Sequence, residues 1–289
     1  MSVHVTAASS PTPEPTRLGP DSPLWKSAGD WRIYLMAPGT SLLQNMLPGV
    51  SAGIEQHSVA FQEPWDRIMR SIPQIQQGVF DPRMAERVRE YHVNIKGVDA
   101  HGDRYHALSP ELYFAAHAVF TYTAITVLDL FDHRLSDTEK AAYYDDCKVW
   151  YRSYGVSDRA MPLTWPEFED YWARLTAEQM ENTPVAAFLV DAYVHPMTYK
   201  PPRMPTLVWR LLGPLVGSHT RLLAAATIPP VCREHVGLRF NRADRIRFAA
   251  LAATVRAVWR WLPERYRITP RARQAKQDVL RELRAVPER

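Results

Sequence analysis

Asp81-Pro82-Arg83-Met84-Ala85-Glu86-Arg87-Val88-Arg89-Glu90-Tyr91-His92-Val93-Asn94-Ile95-Lys96-Gly97 reads as one helix with both ends marked. The Asp81 carboxylate can accept from the unpaired amides of a first turn, and Pro82 at the first helical position forfeits no hydrogen bond. Gly97 supplies a left-handed residue to stop the helix. Met84, Val88, Tyr91 and Ile95 recur at helical spacing, with Arg83, Glu86, Arg87 and Glu90 on the other faces. His92 lies on the Val88/Ile95 side. A neutral imidazole on an apolar helical face is how an axial ligand is presented to haem iron. It is also an ordinary packed residue whose nitrogens find hydrogen bonds, and spacing alone leaves both readings standing.

The same punctuation recurs along the chain. Ser22-Pro23, Ser109-Pro110, Thr183-Pro184 and Thr269-Pro270 each pair an N-cap residue with proline at the first helical position. Ser136-Asp-Thr-Glu139 and Thr164-Trp-Pro-Glu167 have capping-box spacing, and Asn241 to Asp244 opens a further helix. No segment sustains the two-residue alternation of a strand, and no glycine-rich phosphate loop occurs. The expectation is an all-α protein of about nine or ten helices in a single domain from residue 23 to 289. Leu112 to Phe131 is apolar on nearly every face, so it should be a central helix with neighbours all round.

Composition narrows the class. Of 289 residues 46% are hydrophobic and 23% charged, ordinary for a globular chain with a sizeable core. Residues 1–22 lack the basic and apolar regions of a signal peptide, and their Pro, Ser and Thr content reads as a disordered arm. Cys147 and Cys232 are too far apart for a CxxC metal site, which fits a reducing cytoplasm. The apolar run from Leu207 to Val231 is interrupted by Arg210, His219, Arg221 and two prolines, so it argues against a spanning helix and leaves peripheral membrane contact open. The net charge of +4 gathers in the last sixty or so residues, with Arg242, Arg245, Arg256, Arg260, Arg271 and Arg273. No nucleic-acid module accompanies them, so they read as a solvated face and no nucleic-acid partner is expected.

Four local patterns carry candidate chemistry. The first runs from Leu43-Gln44 through Pro48-Gly-Val50 and Gly53 to His57-Ser58. In the second, a helix from Pro64 puts Arg67, Arg70 and Ser71 on one side, where two guanidiniums and a hydroxyl could hold carboxylates or polarise oxygen. The third joins His92 and Lys96-Gly97 to His101-Gly102-Asp103-Arg-Tyr105. The fourth is His117, preceded by Ala115-Ala116, inside the most apolar helix. In order and spacing this series resembles the family of latex-clearing rubber oxygenases and the fungal MpaB oxygenase, from about Trp31 to Leu262.

The resemblance implies a globin-like helical core around haem b, and a reaction that inserts dioxygen into an apolar, isoprenoid-like alkene. His92 matches the family's proximal iron ligand, with His117 as the rival. Arg67 and Ser71 match the arginine and threonine over the distal face. His57 either positions a haem propionate or packs a helix junction, and Phe114, Phe120 and Leu128 would line the substrate channel. The chain also departs from the pattern. Arg70 stands where rubber oxygenases carry lysine, and guanidinium is a very poor iron ligand. Pro73 interrupts the distal helix, Leu47-Pro48 replaces His-Pro, and Gly102-Asp103 replaces Asp-Gly. Two other functions are compatible with these residues: a haem-binding sensor without oxygenase activity, and a cofactor-free helical protein that binds a lipid or a partner.

Overall fold

Half of the helices begin where a short polar side chain accepts from exposed first-turn amides, while Ser109, expected to cap in the same way, makes no such bond. A computed structural model describes the backbone of residues 17–58 and 64–285, and the side chains of 17–58 and 71–284. Its helices are α1 (Pro23–Ser27), α2 (Ile33–Asn45), α3 (Pro48–His57), α4 (Pro64–Gly78) and α5 (Pro82–His92). A hairpin of β1 (Lys96–Val98) and β2 (Arg104–His106) follows. Then come α6 (Pro110–Phe131), α7 (Asp137–Ser153), α8 (Trp165–Arg174) and α9 (Pro184–Val194). The chain ends with α10 (Thr206–Thr227), α11 (Pro230–His235), α12 (Arg242–Trp259), α13 (Glu264–Arg267) and α14 (Pro270–Ala285).

The architecture is all-α apart from the hairpin, as the sequence implied. Fourteen α-helices among the described residues exceed the nine or ten expected. The excess includes α1, α11 and α13, which span five, six and four residues, too short to show a hydrophobic period. The caps are as read at Ser22, Asp81 and Thr183, whose side chains accept from Trp25, Arg83 and Ala186 amides. Ser136/Glu139 and Asn241/Asp244 form full reciprocal boxes. Thr164 caps α8, but Glu167 turns to the Leu163 amide, so that box is half made. Residues 1–16 of the expected arm lie outside the described residues; from Arg17 the chain packs, with Leu18 buried and Arg17 donating to the Val279 carbonyl.

Central α6 packs against α2, α7 and α12. Its first half, with Phe114, Ala118 and Val119, enters the larger core; its second half, with Ile125, Leu128 and Phe131, forms a smaller core with Met36 and Ala252. It is the one helix among the described residues long and apolar enough to cross a membrane, and most of it is buried inside the protein. α2 runs antiparallel to it: Gln44 donates to the Ala116 carbonyl, Thr40 bonds Thr123, and Arg32 donates to the Phe131 carbonyl. α2 also crosses α10 closely, because Gly39 sits where a Cβ would collide with the Thr227 hydroxyl.

Candidate functional site

The helix from Asp81 is shorter than its sequence spacing predicted. It ends at His92, and Gly97 lies in β1 opposite Tyr105 with no left-handed backbone. Gly97 serves close approach: a Cβ there would collide with the Gln56 amide oxygen and sit 3.0 Å from the Tyr105 hydroxyl. Gln56 also accepts from the Tyr105 hydroxyl and donates to the Val98 carbonyl, so the hairpin is fastened to α3. The hairpin in turn holds the chain just beyond His92.

His92 is half-buried, and its Nδ1 lies 2.7 Å from the Val88 carbonyl, one turn back. A carbonyl can only accept, so Nδ1 carries a proton. This is the outer-shell bond that fixes tautomer and ring orientation in metal-ligating histidines. The ring meets Tyr113 of α6 edge-on, with centroids 5.9 Å apart.

His117 lies one turn further along α6, on the same face as Tyr113. It is 3% exposed and enclosed by Trp150, Tyr151, Tyr154 and Phe120, with centroids 4.6 to 6.3 Å away. Desolvation pushes its pKa down to about 3 against a hydrogen bond to the Cys147 main chain, so the ring is neutral at physiological pH. Its Nε2 has no hydrogen-bond partner.

Both imidazoles line one cavity of about 760 Å³. That volume is within the roughly 300–1,000 Å³ of sites that enclose cofactors and small ligands. On α6 the lining residues are Leu112, Tyr113, Ala116, His117, Phe120, Thr123, Ala124, Val127 and Leu128. These recur at helical spacing from Leu112 to Leu128, about 24 Å of helix. The cavity is elongated and mostly apolar.

The structure brings His57, Ser71, His92 and His117 together on this wall. Arg67 and Arg70 lie on α4, which starts at Pro64 as expected and runs on through Pro73, but their side chains are outside the described residues. His57 is exposed and its Nε2 meets the Lys96 carbonyl of β1. Phe120 and Leu128 line the cavity; Phe114 does not, because it packs inward against Tyr151 and Tyr171. Tyr113, missed in the sequence, stands four residues before His117, and the helical period of α6 would have found it.

The residues present fit a haem. A porphyrin iron needs one axial imidazole from the protein, and the cavity offers a tautomer-fixed His92 and an unpartnered His117 Nε2. Among the described residues no three His, Cys, Asp or Glu side chains converge on a bare-ion site.

The chain is thus a helical protein with an elongated, mostly apolar cavity and imidazoles on its wall. The family model for the ER-bound oxygenase mpaB/B′/rubber oxygenase catalytic domain matches residues 25–257, and the chain belongs to this oxygenase family. Searches of curated proteins and of solved structures returned no match.

Proposed function

We propose that this protein is a haem b-dependent oxygenase that inserts dioxygen into an apolar, isoprenoid-like alkene. One observation carries the reading: His92 stands on the cavity wall with its proton committed to the Val88 carbonyl. In this reading His92 is the residue that would hold the haem iron. Bound haem would supply the redox centre at which dioxygen is activated.

The chain's own residues bind, orient and exclude water. The long apolar wall of α6 and α2 matches an extended hydrocarbon better than a compact polar substrate. Tyr113, Trp150 and Tyr154 close the histidine end, and lower polarity there strengthens any hydrogen bond to developing negative charge. Ser71 offers a hydroxyl to that charge from the cavity wall, and Arg67 a guanidinium from the same helix. Arg70 stays protonated near neutral pH, so it supplies charge and no neutral nitrogen ligand.

The test is to purify the protein with haem supply and follow oxygen uptake on adding a synthetic polyisoprenoid alkene. A Soret band, alkene-dependent oxygen consumption and carbonyl products are expected. A Soret band without alkene-dependent uptake would favour a sensor, and absence of haem would favour a cofactor-free binding protein.

A further inference from the structure

The outward face of α10 is the largest apolar feature of the surface that the cavity does not account for. Leu207, Leu211 and Leu215 are 71%, 71% and 69% exposed, and their four-residue spacing aligns them in one stripe. Val208, Leu212 and Val216 form the adjoining stripe, 38–45% exposed, with Met197 and Val194 also exposed close by in the chain. Monomeric surfaces rarely expose so contiguous an apolar patch without a partner.

The helix cannot roll to bury these side chains, because its inner face is fitted closely. A Cβ at Gly213 would come within 2.9 Å of the Met197 sulfur, and one at Gly217 would collide with Pro196. Trp209, buried on that inner face, donates to the Pro196 carbonyl.

Charge points to the partner. No Asp or Glu occurs from Ala192 to Arg233. Lys200, Arg203 and Arg210 are exposed around the leucines, and the nearest preceding acid, Asp191, is engaged by His195 and Tyr199. Apolar side chains flanked by cations match an anionic bilayer, whose acyl region takes the leucines and whose headgroups take the charges. α10 does not meet the length and hydropathy of a spanning helix, so it would lie on the bilayer and not cross it. The cavity adds a use for this contact. Val216 belongs both to the exposed stripe and to the cavity lining, with Gly217, Thr220, Pro196 and Tyr199 beside it.

We propose that the Leu207/Leu211/Leu215 face of α10 docks on anionic phospholipid bilayers, with the cavity opening beside the docked face. Docking needs neither haem nor oxygenase activity, so its test stands apart from the functional reading above. The full-length protein is sedimented with phosphatidylcholine–phosphatidylglycerol vesicles and with phosphatidylcholine vesicles alone. Binding is expected to the mixed vesicles, weakening at high salt. The combined variant Leu207→Gln/Leu211→Gln/Leu215→Gln should bind at least roughly tenfold more weakly, with unchanged far-ultraviolet helicity. Leu211→Cys carrying an environment-sensitive dye should shift to the blue on adding mixed vesicles, independently of whether the combined variant folds. The proposal is overturned if wild-type protein ignores the mixed vesicles, or if the combined variant binds them equally. It is also overturned if the patch instead drives a concentration-dependent dimer that the variant abolishes.

Discussion

α5 and α6 each bring a histidine to the same cavity, and the two helices do so by opposite means. α5 is one-sided: Ala85 is buried, Arg83, Glu86, Arg87 and Glu90 are exposed, and His92 stands half-buried at its end. α6 is enclosed, and His117 sits among aromatic rings with a desolvated, unpartnered Nε2. Both rings are oriented by a main-chain bond, His92 to the Val88 carbonyl at 2.7 Å and His117 to Cys147, so burial is what separates them: His92 stands half-buried and His117 is enclosed.

If α6 is the scaffold and α5 the presenting arm, substitutions in them should differ sharply in cost. Phe114→Ala removes a ring 1% exposed and packed against Tyr151 and Tyr171, and should destabilise the fold by about 3–5 kcal/mol in urea titrations. A loss below about 1 kcal/mol would break the contrast, since that is what surface positions show.

His117 should also give the cofactor-free protein an acid sensitivity. The folded protein keeps His117 neutral down to about pH 3, while the unfolded chain takes up the proton near 6.5. Stability is therefore full above pH 6.5 and falls by about 1.4 kcal/mol per unit below it, until about pH 3. Relative to its own value at pH 7, wild type should lose about 2 kcal/mol more than His117→Phe at pH 5, measured by urea unfolding. Parallel pH profiles for the two proteins would show that His117 is not held neutral.

On the presenting arm the effects are smaller. Asp81→Ala removes the side chain that accepts from the Arg83 amide, and should cost about 1 kcal/mol by thermal unfolding. Ser71→Ala should change stability by no more than about 0.5 kcal/mol. If Ser71 acts on developing charge, the same substitution should slow alkene-dependent oxygen uptake roughly tenfold or more, and equal turnover would remove that role.

What the sequence disclosed follows from the range of each signal. Helix caps are written in three or four adjacent residues, so Ser22, Asp81, Ser136, Thr183 and Asn241 were readable one by one. The central position of α6 was readable because apolar side chains cover nearly all its faces. The β1/β2 hairpin was not, since three-residue strands are too short to show alternation, and Gly97 therefore passed for a helix stop. Phe114 was misplaced for a different reason. On a helix apolar all round, composition does not say which side chains meet a cavity and which meet the core; the position of Tyr151 and Tyr171 decides it. The apolar run from Leu207 left peripheral membrane contact open, and the close fit at Gly213 and Gly217 shows which of its sides faces inward.

The central claim is that His92 at the end of α5, and not the enclosed His117 of α6, is the ligand. Haem content per chain, read from Soret absorbance of protein purified with haem supply, tests it in wild type, His92→Ala and His117→Ala. The account predicts that His92→Ala loses nearly all haem with its far-ultraviolet helicity intact, while His117→Ala retains it. Haem retained by His92→Ala and lost from His117→Ala would contradict it.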